Sequence, residues 1–432
     1  MIVVSCMMNI AIIGTGYVGL PTGLGFAELG HKVVCIDIDK DKVRDLNNAK
    51  ATLYEKDLDE LLVKHLKLKN IYFSSSYADV AKADVIMLAV GTPQEQNSGR
   101  ANLEYIYAAA SNLKNYLNTN YKVVAVKSTV PVGTCDEIEK IIDNKNVDVV
   151  SLPEFLREGY ALEDFFNPDR IIIGSNSNKA NEVLSDLYDG FSKDKLLFVS
   201  RRSSELIKYA SNSFLAMKIH FINEMANLCE KTNANIKEVA KGIGLDSRIG
   251  SKFLNPGPGF GGSCFPKDTL ALQSIASDYG VKLDLLDATI DGNQKRFKYI
   301  ANKIINILNS LNSNTLAIYG LAFKNGTDDC RQSPAIDIIK ELLNYQGLNI
   351  KAYDPKAINN ARSILKDSID YYNDKYECVK GVDLLVVLTE WEEFKYIDFD
   401  KLRNNMNSKV IFDTRNIIEN TTNDFKIINV GI

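Results

Sequence analysis

The chain has 432 residues, room for two or three domains; 45% are hydrophobic and 25% charged, the composition of an ordinary soluble globular protein. Lys and Arg number 51 against 55 Asp and Glu, a net charge of -4, which argues against a nucleic-acid or anionic-membrane binder but leaves room for a small anionic ligand held by a few local cations. The seven cysteines, at 6, 35, 135, 229, 264, 330 and 378, form no C-x-x-C pair and the three histidines are scattered, so no disulfide scaffold and no metal site are expected and a reducing cytoplasm fits.

Residues 1–27 carry no charge, the pattern of a membrane span or a signal peptide. Five glycines, Pro21 and the lack of a basic leading segment argue against both. Met1 and Met8 both stand as starts, and nothing internal decides between them. "NIAIIGTGYVGLPTGLGFAELGHKVVCIDID" then reads as apolar strand, Gly-rich turn, helix and apolar strand. The turn carries Gly14-x-Gly16-x-x-Gly19, and Asp37 ends the second strand, 23 residues after Gly14. Alone the glycine pattern is weak; between two such strands, with an acid at that distance, it is a strong dinucleotide fingerprint. The glycines let the backbone approach a pyrophosphate at a helix N-terminus. Asp37 would accept from a ribose 2′-OH and repel a 2′-phosphate, which favours NAD over NADP. "ADVIMLAVGTP", "YKVVAVKSTVPVGT" and "VDVVSLPEF" continue as strands followed by loops.

From Ser203 the pattern changes: "SSELIKYASNSFLAMKIHFINEMANLCEKT" has apolar residues at helical spacing and predicts a long central helix. "NPGPGFGGSCFPKD", Asn255 to Asp268, is too rich in glycine and proline for helix or strand, and it carries a lone thiol just before a lysine, an aspartate and a helix. A second helical stretch is expected from Thr269 to past Ile300. From Thr315 the strand-turn-helix-strand pattern returns as "TLAIYGLAFK", "AIDIIKELLNYQG" and "NIKAYDP", without the glycine fingerprint, and "VDLLVVLTEW" and "KVIFDTRN" follow.

Polar residues gather at the ends of predicted strands, where α/β folds place ligands. Thr129, Glu154 and Glu158 do so in the first part. Lys208 and Asn212 lie four apart and share a face of the long helix. Cys264 and Asp268 flank the end of the Gly-rich loop, and Lys324 and Arg331 lie in the second nucleotide-binding-like turn.

Taken together, the fingerprint, "KSTVPVGT", "PEFLREG", "KYASNSFLAMKIHFINE", "SRIGSKFLNPGPGFGGSCFPKD" and "GLAFKNGTDDCRQSPA" resemble the UDP-glucose/GDP-mannose dehydrogenase family, in the family's order and over nearly the whole chain. The resemblance implies an α/β fold of two Rossmann-like doubly wound domains joined by a long central helix and a helical middle domain. Its expected parts are an NAD-binding domain at 1–203, a central helical domain with the cysteine loop at 204–305, and a UDP-sugar-binding domain at 306–432. It also implies oxidation of a sugar-nucleotide primary alcohol to a carboxylate in two steps, with two NAD+ and a covalent cysteine intermediate.

That chemistry agrees with the residues. Two hydride transfers at one nicotinamide site require NADH to be exchanged midway, and a thiolate can hold the aldehyde meanwhile as a thiohemiacetal; its oxidation gives a thioester that water cleaves. A helix N-terminus and Lys267 would favour the thiolate of Cys264. The loop glycines are expected to let sugar and nicotinamide approach the backbone.

The resemblance carries further roles over to this chain. Lys208 and Asn212 would donate hydrogen bonds to the oxygen that develops negative charge. Asp268, and a water polarised by Thr129 and Glu154, would serve proton transfer and thioester hydrolysis. The identity of the general base stays open. NAD would be held by Gly14, Gly16, Tyr17, Val18, Gly19, Asp37 and Lys42, and by Thr92, Thr129, Glu158, Lys267 and Arg331. The sugar nucleotide would meet Glu154, Phe155, Leu156, Lys208 and Asn212, the loop residues Phe253, Asn255, Gly259 and Gly261, and Lys324. Arg248 would join them, reaching a neighbouring subunit's site in a homodimer built on the central helix.

The loop and its "SRIG" lead tilt the reading to the branch that converts UDP-glucose to UDP-glucuronate. A UDP-N-acetylhexosamine or GDP-mannose dehydrogenase is the alternative, since "NPGPG" departs from the glucose pattern and "GLPTG" is shared with the N-acetylhexosamine branch. A non-catalytic NAD-binding regulator would be expected to have lost Cys264, Lys208, Asn212 or Asp268, and all four are present. A one-step β-hydroxyacid-type dehydrogenase needs neither the thiol nor the third domain.

Overall fold

Short apolar runs that end in glycine turns become parallel strands buried on both faces. In the computed structural model, which describes residues 6–95, 98–117, 119–419, 422 and 424–432, they build two sheets. Residues 1–5, in the stretch ahead of Met8, lie outside the described residues. The chain divides into two compact units: residues up to Ser211 with Ser274–Gly280, and Asn212–Gln273 with Val281–Ile432.

The first unit holds β1 (Asn9–Ile13), β2 (Lys32–Ile36), β3 (Ile71–Ser74), β4 (Val85–Leu88), β5 (Lys122–Val126), β6 (Val147–Ser151), β7 (Ile171–Gly174) and β8 (Leu196–Val199). They lie in the order β3-β2-β1-β4-β5-β6-β7-β8, parallel except where β6 meets β7. Ile10 and Ile12 of β1 face one core while Ala11 and Ile13 face the other, the period of two expected of a strand covered on both sides. From Asn9 onward the charge-free stretch is thus β1, the fingerprint turn and a helix, Gly19–Glu28. No helix among the described residues is long and apolar enough to cross a membrane.

The second unit holds β9 (Thr315–Tyr319), β10 (Asn349–Tyr353), β11 (Asp370–Tyr372), β12 (Leu384–Val387), β13 (Val410–Asp413) and β14 (Lys426–Asn429). Their order is β11-β10-β9-β12-β13-β14, all parallel. Both sheets therefore reverse direction beside their first strand, between β1 and β4 and between β9 and β12, which is where open α/β sheets bind ligands.

The two turns at these points match in detail. Gly14 has φ +101° and donates to Ile36 O at 2.7 Å; Gly320 has φ +96° and donates to Tyr353 O at 2.8 Å. A side chain at Gly14 would press on Ala89 O, and one at Gly320 on Thr389. The acids that follow differ. Asp37 is partly exposed, whereas Asp354 is buried and accepts from the amides of Leu321, Ala322, Lys356 and Ala357 and from the indole of Trp391.

The long helix runs Arg201–Thr232, and the division between the units falls within it. The second helical stretch is not continuous. It is two helices, Phe265–Asp278 and Asp284–Ser310, separated at Gly280, whose φ of +66° is the left-handed turn that ends helices. The first begins four residues ahead of Thr269, directly after Cys264.

Candidate active site

In the first unit the fingerprint has the geometry a dinucleotide needs. A side chain at Gly19 would overlap Gly14 O, so glycine there lets the helix pack on the turn, while a side chain at Gly16 would project into open space. Tyr17 and Val18 complete the turn into the helix Gly19–Glu28. One Asp37 oxygen accepts from the amide of Thr15 at 3.0 Å and its hydroxyl at 2.5 Å, with Lys42 at 3.5 Å; the other accepts from the Asp39 amide at 3.1 Å. Burial pushes the Asp37 carboxyl up, but the Thr15 hydroxyl, the Asp39 amide and Lys42 outweigh it, so the net displacement is downward and the group is anionic at neutral pH. Gly16 and Asp37 together fit a pyrophosphate and a ribose diol.

The same unit buries a charged cluster. Lys208 Nζ donates to Glu154 Oε1 at 3.1 Å, with the two side chains only 5% and 6% exposed. Glu154 Oε2 accepts from the Leu156 amide at 2.6 Å. The Phe155 ring lies 5.1 Å from the Lys208 ammonium and 3.8 Å from the Arg170 guanidinium. Thr92 Oγ1 donates to Thr129 O at 2.8 Å, which ties the ends of two neighbouring loops. Glu158 is partly exposed beside this segment.

Lys127 also belongs to the cluster, and sequence reasoning passed over it. It is buried just after β5, and burial lowers its ammonium to about 8; Glu154 opposes the fall and Lys208 adds to it. Its only signal was its place in "KSTVPVGT".

The second unit holds the thiol. Cys264 directly precedes the helix Phe265–Asp278, and its carbonyl accepts from the Asp268 amide at 2.8 Å as that helix begins. None of the seven cysteines is in a disulfide. Buried Asp268 accepts from Asn212 Nδ2 at 2.6 Å and from Lys267 Nζ at 2.6 Å. Asn212 is itself buried, so neither Asn212 nor Lys208 lies on a solvated helix face. Phe253 takes a left-handed φ of +65°, and its ring lies 6.1 Å from that of Phe265. Asn255 is exposed at the head of the loop, and Lys324 Nζ lies 5.4 Å from the ring of its neighbour Phe323. Arg331 makes a two-pronged contact with Asp329, and Arg248 does the same with Asp246 while remaining 87% exposed.

The loop glycines also answer to the packing of the chain itself. Where a side chain would stand, the protein itself is in the way: Asn293 Oδ1 at 2.7 Å for Gly259, Gln332 O and Pro334 for Gly261, and the Phe323 ring at 2.6 Å for Gly262, whereas beside Gly257 the end of the Arg415 side chain at 3.2 Å has only to give slightly. Packing within the second unit requires glycine at 259, 261 and 262, and at 259 and 262 φ of +126° and +86° requires it as well. Arg415, two residues past β13 in "KVIFDTRN", is a further residue the sequence reading missed; its Nε donates to Leu388 O at 2.8 Å and pairs with Glu390. Among the described residues no group of His, Cys, Asp and Glu has the arrangement of a metal site.

Comparison with known proteins matches this geometry. Three domains of the UDP-glucose/GDP-mannose dehydrogenase family match the chain in order: the NAD binding domain at residues 8–192, the central domain at 202–295 and the UDP binding domain at 317–420. The UDP-glucose 6-dehydrogenase of Rhizobium meliloti (strain 1021) is 45% identical over 437 residues, 98% of this chain and 99% of that protein. Among solved structures, a UDP-glucose dehydrogenase from the hyperthermophilic archaeon Pyrobaculum islandicum superposes with a TM-score of 0.88 at 35% identity, covering 96% of this chain and 95% of that one. The UDP-D-ManNAc dehydrogenase from Pyrococcus horikoshii superposes with a TM-score of 0.86 at 26% identity, covering 98% and 99%. The chain therefore belongs to the UDP-glucose/GDP-mannose dehydrogenase family.

Proposed function

We propose that the protein is an NAD-dependent UDP-glucose 6-dehydrogenase that oxidises the primary alcohol of UDP-glucose to the carboxylate of UDP-glucuronate. The observation that carries this reading is Cys264, held on a packed loop at a helix N-terminus, one turn from the buried Asp268–Asn212 pair. NAD+, when bound, accepts one hydride at each of the two oxidations. The first leaves an aldehyde; the Cys264 thiolate adds to its carbonyl carbon and the carbonyl oxygen takes a proton. Loss of the second hydride and of that proton leaves a thioester, which water cleaves to the carboxylate and the regenerated thiolate with release of two protons. The sum is one alcohol, two NAD+ and one water giving one carboxylate, two NADH and three protons.

Each residue has a proposed share. Asn212, with a second amide hydrogen besides the one given to Asp268, and Lys208 donate to the oxygen that gains negative charge, and such a donor is worth about 3–4 kcal/mol. Asp268, and Glu154 with Thr129, move protons to and from water during hydrolysis. Gly14 to Gly19, Asp37, Lys42, Thr92, Glu158, Lys267 and Arg331 hold NAD. Phe155, Leu156, Arg248, Phe253, Asn255, Gly259, Gly261 and Lys324 hold the UDP-sugar. The three-part division at 1–203, 204–305 and 306–432 follows the same roles.

The subunit is proposed to pair with a second copy through the long helix, where Phe214, Phe221 and Leu228 are exposed at seven-residue spacing. The exposure of Arg248 supports its reach into a neighbouring site. Chemistry that depends on a thiol suits a reducing compartment, and the cytoplasm is the proposed location.

Mass spectrometry of the protein with UDP-glucose and NAD+ tests the mechanism. An adduct on Cys264, two NADH per UDP-glucose and loss of overall conversion in Cys264→Ala are expected. Near wild-type turnover by Cys264→Ala would refute it. Faster turnover of a UDP-N-acetylhexosamine or GDP-mannose in the same assay would move the substrate to the alternative branch.

A further inference from the structure

The loop that carries Cys264 has no helix or strand from Ser251 to Ser263, so its backbone groups must find partners elsewhere. Three side chains from two helices supply them. Asn223, on the helix Arg201–Thr232, accepts from the Gly257 amide at 2.8 Å. Arg296, on the helix Asp284–Ser310, donates from Nε to the Gly257 carbonyl at 3.0 Å. Asn293, one turn earlier on the same helix, accepts from the Phe260 amide at 2.9 Å and donates back to the Phe260 carbonyl at 2.9 Å. The Asn293 amide thus pairs with Phe260 on both sides, as a strand neighbour would, and it occupies the place a side chain at Gly259 would need. All three side chains are buried, and Arg296 is braced by Asn227.

We propose that Asn223, Asn293 and Arg296 are positioning residues for Cys264: they clamp the backbone of residues 257–260 so that the thiol is offered in one place. A chain of glycines and prolines gains little order from its own side chains, and an unclamped loop would sample many conformations. Burial lowers the Arg296 guanidinium to about 10, so it remains charged at neutral pH and binds the carbonyl as a cation. None of the three is assigned a contact with substrate or NAD. Their part is to make the thiol ready when the aldehyde forms.

This inference rests on the proposed reaction, so one arm of its test uses no substrate. In that arm, hydrogen–deuterium exchange of the Gly257 and Phe260 amides is compared in wild type, Asn223→Ala and Asn293→Ala. Exchange of these amides is expected to quicken by at least about tenfold while that of the sheets stays put. In the second arm, kcat with UDP-glucose is expected to fall by about 10- to 100-fold. Aldehyde trapped by a hydrazine in solution should rise relative to carboxylate product, a leak that general loss of stability would not produce. Asn223→Asp keeps the acceptor for Gly257 and should recover kcat to within about threefold of wild type.

If the alanine variants do not fold, Asn223→Leu and Asn293→Leu decide, because leucine fills a similar volume and offers the Gly257 and Phe260 amides no acceptor. Unchanged exchange at Gly257 and Phe260, or faster exchange with kcat within about twofold of wild type and no trapped aldehyde, would overturn the clamp. If wild type makes no NADH from UDP-glucose, the substrate reading fails, and the exchange arm still decides the clamp.

Discussion

Replacing Lys127 with methionine will stabilise the first unit at neutral pH. The lysine is buried, and its ammonium falls from an ordinary 10.5 to about 8, first through burial and then through Lys208, against the pull of Glu154. At about 1.4 kcal/mol per pH unit, that displacement is worth about 3 kcal/mol. The sign follows from proton counting. Between about 8 and 10.5 the unfolded chain holds the proton and the folded chain does not, so stability climbs with pH across that window. Below it both states are charged and the full penalty applies; above it the penalty is gone. Methionine fills a similar volume without a charge, so its advantage is greatest, up to about 3 kcal/mol, at pH 7 and shrinks toward zero near pH 10.5. Urea unfolding of both proteins by circular dichroism at pH 7, 8, 9 and 10 gives the difference directly. A variant less stable than wild type at pH 7, or an advantage that does not change with pH, would refute the reasoning.

Three further outcomes follow from the geometry. Gly16→Ala should melt like wild type, since its side chain meets open space, yet weaken NAD+ binding by about tenfold or more, whereas Gly19→Ala should lose about 3 kcal/mol or more of stability by collision with Gly14 O; equal melting of the two variants would contradict this. Asp37→Ser should lower the ratio of kcat/KM for NAD+ over NADP+, and an unchanged ratio would remove Asp37 from cofactor choice. Phe221→Glu should convert a dimer to a monomer by light scattering, and a wild type already monomeric would defeat the proposed interface.

Much of the fold was legible because its signals are local. Glycine spacing marked the turn after β1, an acid marked the end of β2, and proline with glycine marked the cysteine loop. The edge strand β8 was passed over: its apolar run Leu196–Val199 is only four residues long and shows no alternation, although Leu197 and Phe198 are exposed. The break between the last two middle helices was written in Gly280, but the apolar spacing on either side is regular enough to read through it. Long-range partners were beyond the sequence. "NIKAYDP" ends much as "VVCIDID" does, yet Asp354 is enclosed, in part by Trp391, and Asp37 is not. Asn293 and Arg296 carry no motif in the sequence; only the fold turns them onto the loop.

The filled spaces beside the loop glycines bear on how this segment can change. Each glycine is matched to a particular neighbour, Gly259 to Asn293, Gly261 to Pro334 and Gly262 to Phe323. A smaller neighbour would not release them: Gly259 and Gly262 have φ of +126° and +86°, where side chains other than glycine's are strained, and a side chain at Gly261 would meet the Gln332 backbone oxygen. A library that varies these three positions, alone or together with their neighbours, will return mostly glycine. Redesign for another sugar has to start from the helices and turns behind the loop, because the loop holds no unoccupied room of its own at these positions.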